Sequence, residues 1–158
     1  MKIRKGQGAT EYLVLLAVVL IIALISIALL GFFPWLATDS KQKQSDAYWT
    51  GVASPFKIKE HAVSSSGSLQ AVIENSGPDK LTVASIYIGG VNYTTSTVFN
   101  SGDSKTLTLG TFSSNPCANN TRYEVSGSSV IFSYTTKGGL SKKQGGDSGT
   151  KDLVGTCT

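Results

Sequence analysis

The chain has 158 residues, with fourteen Lys and Arg against ten Asp and Glu, a formal charge of +4. Three of the basic residues, Lys2, Arg4 and Lys5, crowd its start, and the rest stand eleven to ten, a net of +1, which removes the case for nucleic acid as a partner. Of the other lysines, Lys41, Lys43, Lys57, Lys59, Lys80 and Lys105 are scattered and only Lys142 and Lys143 are adjacent, so a solvated surface accounts for them.

After the basic cluster the chain passes through Gly6-Gln7-Gly8-Ala9-Thr10-Glu11-Tyr12 and then runs apolar from Leu13 to Leu30, broken by Ser26 alone. No charge appears between Glu11 and Asp39. As a helix rising about 1.5 Å per residue, some twenty such residues cross the roughly 30 Å hydrocarbon core of a bilayer. The apolar positions carry no 3.6-residue bias, so this helix is hydrophobic all round and needs lipid or the centre of something large. An ordinary secretory signal has a shorter apolar core and a small-residue cut site, whereas here the apolar run continues to Phe33. Glu11 at the edge of the run marks either a partner charge or the point where the segment leaves the membrane. One reading places it among lipid headgroups beside Lys5 and Arg4.

Read together, Lys5-Gly6-Gln7-Gly8-Ala9-Thr10-Glu11-Tyr12-Leu13-Val14-Leu15 resembles the class III signal peptide of archaeal type IV pilins. The shared features are a short basic leader, Gly before the cut, then Gln, a carboxylate four residues on, and an unbroken apolar helix. The resemblance covers roughly the first thirty-five residues, with Ala9 standing where the family often has Ser. It implies that a prepilin peptidase, a membrane aspartic protease, cuts between Gly6 and Gln7 and that the apolar helix is retained. Gly6 permits the extended backbone such a cut needs, and Lys2, Arg4 and Lys5 hold the leader on the cytoplasmic side. The resemblance also implies that Glu11 attracts the new amino group on Gln7 of a neighbouring subunit, selecting register as the helix moves from membrane to filament. The implied partners are further copies of the chain in a helical homopolymer, the peptidase, an assembly ATPase and a membrane platform protein.

Pro34 is expected to kink or end the helix, which then continues through a polar but helix-compatible stretch to about Trp49 or Gly51. Trp35, Tyr48 and Trp49 read either as interfacial anchors or as packing under a globular head. Ser54-Pro55 ends the helix, and short runs rich in β-branched and aromatic residues follow, separated by Gly, Asn, Asp and Ser. The expected strands are 56–63, 69–74, 81–88, 91–93, 104–109, 123–126, 130–135 and 152–157. Turns are expected at Gly89-Gly90, Asn100 to Asp103 and Ser126-Gly127-Ser128. The fold class is therefore α+β, a long N-terminal hydrophobic α-helix followed by a small antiparallel β-sandwich of the immunoglobulin-like kind. In these terms residues 1–6 are a leader, 7–53 the membrane-anchoring and filament-core helix, and 54–158 the head.

Cys117 and Cys157 suit an oxidising compartment, and a bridge would tie the last residues back to the loop before Tyr123. Unrelated thiols or a metal pair are the alternatives, and no CxxC or nearby His supports metal. Asn92-Tyr93-Thr94 and Asn119-Asn120-Thr121 match the N-glycosylation sequon, which makes Asn92 and Asn119 acceptors if the head faces outward. For catalysis the chain offers little. His61 is the sole histidine and no nucleophile motif accompanies it. The glycines at 138–139, 145–146 and 149 lack the Gly-Lys-Ser/Thr ending of a phosphate loop and read as a flexible hairpin tip. The expectation is a non-enzymatic structural protein without a cofactor, the subunit of an extracellular type IV pilus-like filament used in surface adhesion. Its rivals are a single-pass membrane-tethered β-domain for binding, an archaellum subunit for motility, and a minor pilin or pseudopilin.

Overall fold

The computed structural model describes residues 7–31, 34–112, 117–118 and 120–158, so Gly6 and Asn119 lie outside the described residues. The chain is α+β and divides into two units, Met1–Asp39 and Ser40–Thr158.

The first unit holds helix α1 (Gln7–Gly31), twenty-five residues long. Leu, Val, Ile and Ala fill it, and its single mid-span hydroxyl is satisfied within the helix, since Ser26 Oγ donates to the Ile22 carbonyl at 2.8 Å. A second helix, α2 (Pro34–Ala47), opens on Pro34. At a first helical position the missing N–H of proline is one that would have no intrahelical partner anyway.

In the second unit, the end of α2 runs into a π-helical turn, Tyr48–Val52. The turn closes when the Ala53 N–H donates to the Tyr48 carbonyl at 2.8 Å. It delivers Trp49 into the core at 1% exposure, which decides between the two sequence readings of that indole in favour of packing under the head. Among the described residues nine strands follow: β1 (Phe56–Val63), β2 (Ser68–Asn75), β3 (Leu81–Ile88), β4 (Val91–Phe99), β5 (Ser104–Thr111), β6 (Arg122–Val125), β7 (Val130–Thr136), β8 (Ser141–Gly145) and β9 (Leu153–Thr156). They form three antiparallel sheets, ordered β1-β2-β5, β4-β3-β7-β8 and β6-β9. With β6 and β9 set aside, this is the order of an immunoglobulin-like sandwich whose fourth strand joins the sheet of the third and seventh. Phe56 on the first sheet clamps the two layers. It stacks on Phe132 at 5.4 Å between ring centroids and meets Phe99 and Tyr134 edge-on.

Most expected strands fall within a residue or two of the observed ones, and the departures have physical causes. The imperfect alternation of β3 is a β-bulge between Val83 and Ser85, which lets Val83 and Ile86 both face the core while Ala84 is exposed. Strand β4 runs to Phe99 rather than ending at Tyr93, because Thr94 to Val98 are β-branched or small and need only one sheet neighbour. Ser141–Gly145, where no strand is expected and Gly145 reads as part of a flexible tip, is the edge strand β8. An edge strand of Ser, Lys, Lys, Gln and Gly has no apolar alternation to betray it.

Asn75 is the polar pin of the sandwich. It is fully buried, and its Nδ2 donates to the carbonyls of Asp79, Asn100 and Phe99 at 2.8, 3.1 and 3.3 Å. Its Oδ1 accepts from the Gly77 N–H at 3.0 Å, so one amide fixes the β2–β3 connection and the end of β4. Asn75→Ala strands several of these groups in a dry environment. We expect it to lower unfolding free energy by about 2–4 kcal/mol in urea titrations, with an unchanged m-value.

Candidate functional site

The feature that sets this chain apart from an ordinary β-sandwich is α1. From Thr10 to Gly31 it offers 22 consecutive residues long and apolar enough to cross a membrane, and none of that span is buried. At about 1.5 Å per residue this is about 33 Å of helix, slightly more than a hydrocarbon core. Exposure extends around the whole circumference: consecutive Leu13, Val14, Leu15 and Leu16 all stand 45–65% exposed. A soluble helix would turn one face inward, and this one has no such face.

Glu11 sits at the N-terminal edge of the span, one helical turn after Gln7, with its side chain exposed beside Thr10, Val14 and Leu15. Gln7 is the first residue of α1, so the residue expected to carry the new amine and the residue expected to attract it lie on the same helical end.

The other expected site residues lie in the head. Cys117 and Cys157, 40 positions apart in sequence, form a disulfide with 5.6 Å between Cα atoms. Around it the chain is woven tightly: the Cys157 N–H donates to Thr121 O at 2.8 Å and the Thr158 N–H to Val63 O at 2.9 Å. A parallel bridge from Val63 to Cys157 then attaches the β6–β9 ladder to β1. Asn92 is exposed on β4, an edge strand, and is accessible to a modifying enzyme.

Sequence reading gave His61 no role, and the structure makes it a junction. Its Nδ1 lies 2.5 Å from the Tyr123 hydroxyl on β6, and the two rings meet nearly at right angles. Gly155 on β9 passes directly behind them. A Cβ there would lie 2.5 Å from Tyr123 Oη and 2.8 Å from His61 Cε1, so only glycine fits. Ser45 on α2 reinforces the same corner by accepting the buried Val154 N–H at 3.0 Å. Beside the junction runs a groove of about 730 Å³, whose walls include Asp46, Trp49, Lys59, Gln70 and Thr106. Among the described residues no cluster of three metal-ligating side chains forms.

Burial pushes the His61 imidazole below its ordinary value, against a smaller upward pull from the Asp46 carboxylate. The same burial pushes the Tyr123 hydroxyl up, so that it stays protonated as a donor to neutral Nδ1. An imidazole whose folded-state pKa is depressed binds its proton more readily when unfolded. Its contribution is therefore complete above the unfolded value near 6.5 and is lost as pH falls through the lower folded value. Denaturation between pH 7.5 and 5.5 should accordingly show stability declining toward acid in the wild type, with His61→Gln flattening that slope. In the chain-entropy picture, Cys117→Ser with Cys157→Ser costs about 3–4 kcal/mol of unfolding free energy for a loop of this length, measurable by urea titration.

The sequence matches no protein-family model and no curated protein.

Proposed function

We propose that the chain is a structural subunit of an extracellular filament of the archaeal type IV pilus kind, polymerising through α1 and presenting the β-sandwich for surface adhesion. One observation carries this reading: a 22-residue helical span apolar enough to cross a membrane and with no buried position, followed by a self-contained, disulfide-tied head. Such a helix is uncovered in water, and two environments cover it. Lipid does so before assembly, and the packed helices of neighbouring copies do so afterwards, so membrane and filament core act as alternative solvents for one segment.

Within that core Glu11 supplies selectivity. Opposite charges 4 Å apart attract by about 4 kcal/mol at an effective dielectric of 20, and desolvation offsets much of the gain. The Glu11 carboxylate with the Gln7 amine of the next copy therefore fixes axial register more than it adds stability. Before processing, the basic residues Lys2, Arg4 and Lys5 orient the precursor in the membrane. A prepilin peptidase acting between Gly6 and Gln7 releases the amine. An assembly ATPase and platform protein supply the energy, for which the chain carries no motif of its own.

The deciding experiment is intact-mass analysis and N-terminal sequencing of protein sheared from the cell surface. A chain beginning at Gln7 in sedimentable filaments is the expected result. A chain still beginning at Met1 and absent from filaments would replace the reading with a membrane-tethered β-domain. Two variants separate the steps. Gly6→Val should leave an uncut, unassembled precursor. Glu11→Ala should be processed normally but give roughly tenfold fewer filaments, because an unpaired amine remains in an apolar core.

A further inference from the structure

Lysines that look scattered in the sequence are gathered by the fold. Leu81 on β3 pairs with Thr136 on β7, which brings Lys80 and Lys137 side by side just beyond the ends of the two strands. Strand β8 then returns along β7 with Lys142 opposite Tyr134 and Lys143 opposite Ser133. All four lysines are exposed, and among the described residues none of them is in an ion pair. No Asp or Glu occurs between Glu124 and Asp147, so the β7–β8 hairpin carries three positive charges and no negative one. Two carboxylates lie toward that end: Asp79, next to Lys80, and Asp103, which accepts from the Asn100 N–H in the turn after Phe99, the β4 partner of Leu81. At the hairpin tip Leu140 is 64% exposed, flanked by this charge.

Lysines on an edge strand often serve only to prevent edge-to-edge pairing. That purpose does not account for this cluster. The opposite edge of the same sheet, β4, is longer and carries no charged residue at all, while Lys80 and Lys137 lie off the edge that would need protection. A local excess of positive charge on a surface that is otherwise nearly balanced is an attractor for a polyanion.

The chemistry of the patch selects among polyanions. Single-stranded nucleic acid is held by aromatic platforms as well as charge, and the aromatic residues of β7, Phe132 and Tyr134, are buried. Binding to a lipid surface relies on several apolar side chains inserted together, and the hairpin tip presents Leu140 alone. Point-charge ammonium groups along a strand edge, with a single apolar contact, match a linear chain of carboxylated or sulfated sugars. We propose that the Lys80, Lys137, Lys142 and Lys143 patch on the β7–β8 hairpin is a docking surface for an acidic polysaccharide. This rests on the adhesive role assigned to the head but not on polymerisation.

The test uses the full chain in detergent micelles, titrated with fluorescent polyuronate and with neutral dextran at 50 and 300 mM salt. Expected are binding to polyuronate alone, weakening at the higher salt, and a loss of about tenfold or more in affinity in the Lys137→Gln, Lys142→Gln, Lys143→Gln triple variant. A control triple variant, Lys41→Gln, Lys43→Gln, Lys59→Gln, carries the same change in net charge and should keep its affinity. Equal losses in both variants would reduce the effect to net charge and overturn the site, as would the absence of polyuronate binding. Preference for anionic vesicles or oligonucleotides over polyuronate would overturn the ligand class. Because binding is read on dispersed chains, failure here leaves filament formation untouched, and a failure to polymerise leaves this result standing.

Discussion

The largest apolar surface left uncovered in this protein is that of α1. About fifteen large apolar side chains on that helix are exposed, and covering each is worth roughly 1.5–3 kcal/mol. The total is tens of kcal/mol, several times the 5–15 kcal/mol that holds a typical domain folded. The environment of the helix is therefore decided by a larger force than the one that folds the head. With that surface uncovered, the head must be stable on its own terms.

The head meets that demand with two kinds of restraint. Apolar packing between the sheets, centred on Phe56, Phe99 and Phe132, supplies the bulk of the stabilisation. Polar pins then select one arrangement. Asn75 ties one end of the sandwich, while His61, Tyr123 and the glycine behind them tie the β6–β9 ladder to β1 near the other. The disulfide lies beside this second pin, so the segment containing β9 is held both covalently and by shape.

Much of this was legible in the sequence because it depends on composition over a window. The all-apolar run, the change of texture at Ser54-Pro55 and the β-branched runs each report a burial state directly. What escaped depends on pairing. Lys80 and Lys137 become neighbours only through the register of β3 on β7, and β8 forms only because β7 offers an edge. His61 has no partner legible in the sequence until β6 supplies Tyr123 from 62 positions away. The bulge in β3 shows the opposite case: the broken alternation was visible, while its cause needed the partner strands.

The position of β9 has a consequence for the order of events in biosynthesis. Its pairing with β6, the Cys157 bridge and the Ser45–Val154 bond join residues up to 109 positions apart. The corner around His61 cannot close until residue 157 has been delivered, whereas α1 is complete after the first thirty-one residues. The apolar segment is thus made while the head is still an open chain. Oxidation of Cys157 comes last, as the step that seals the head.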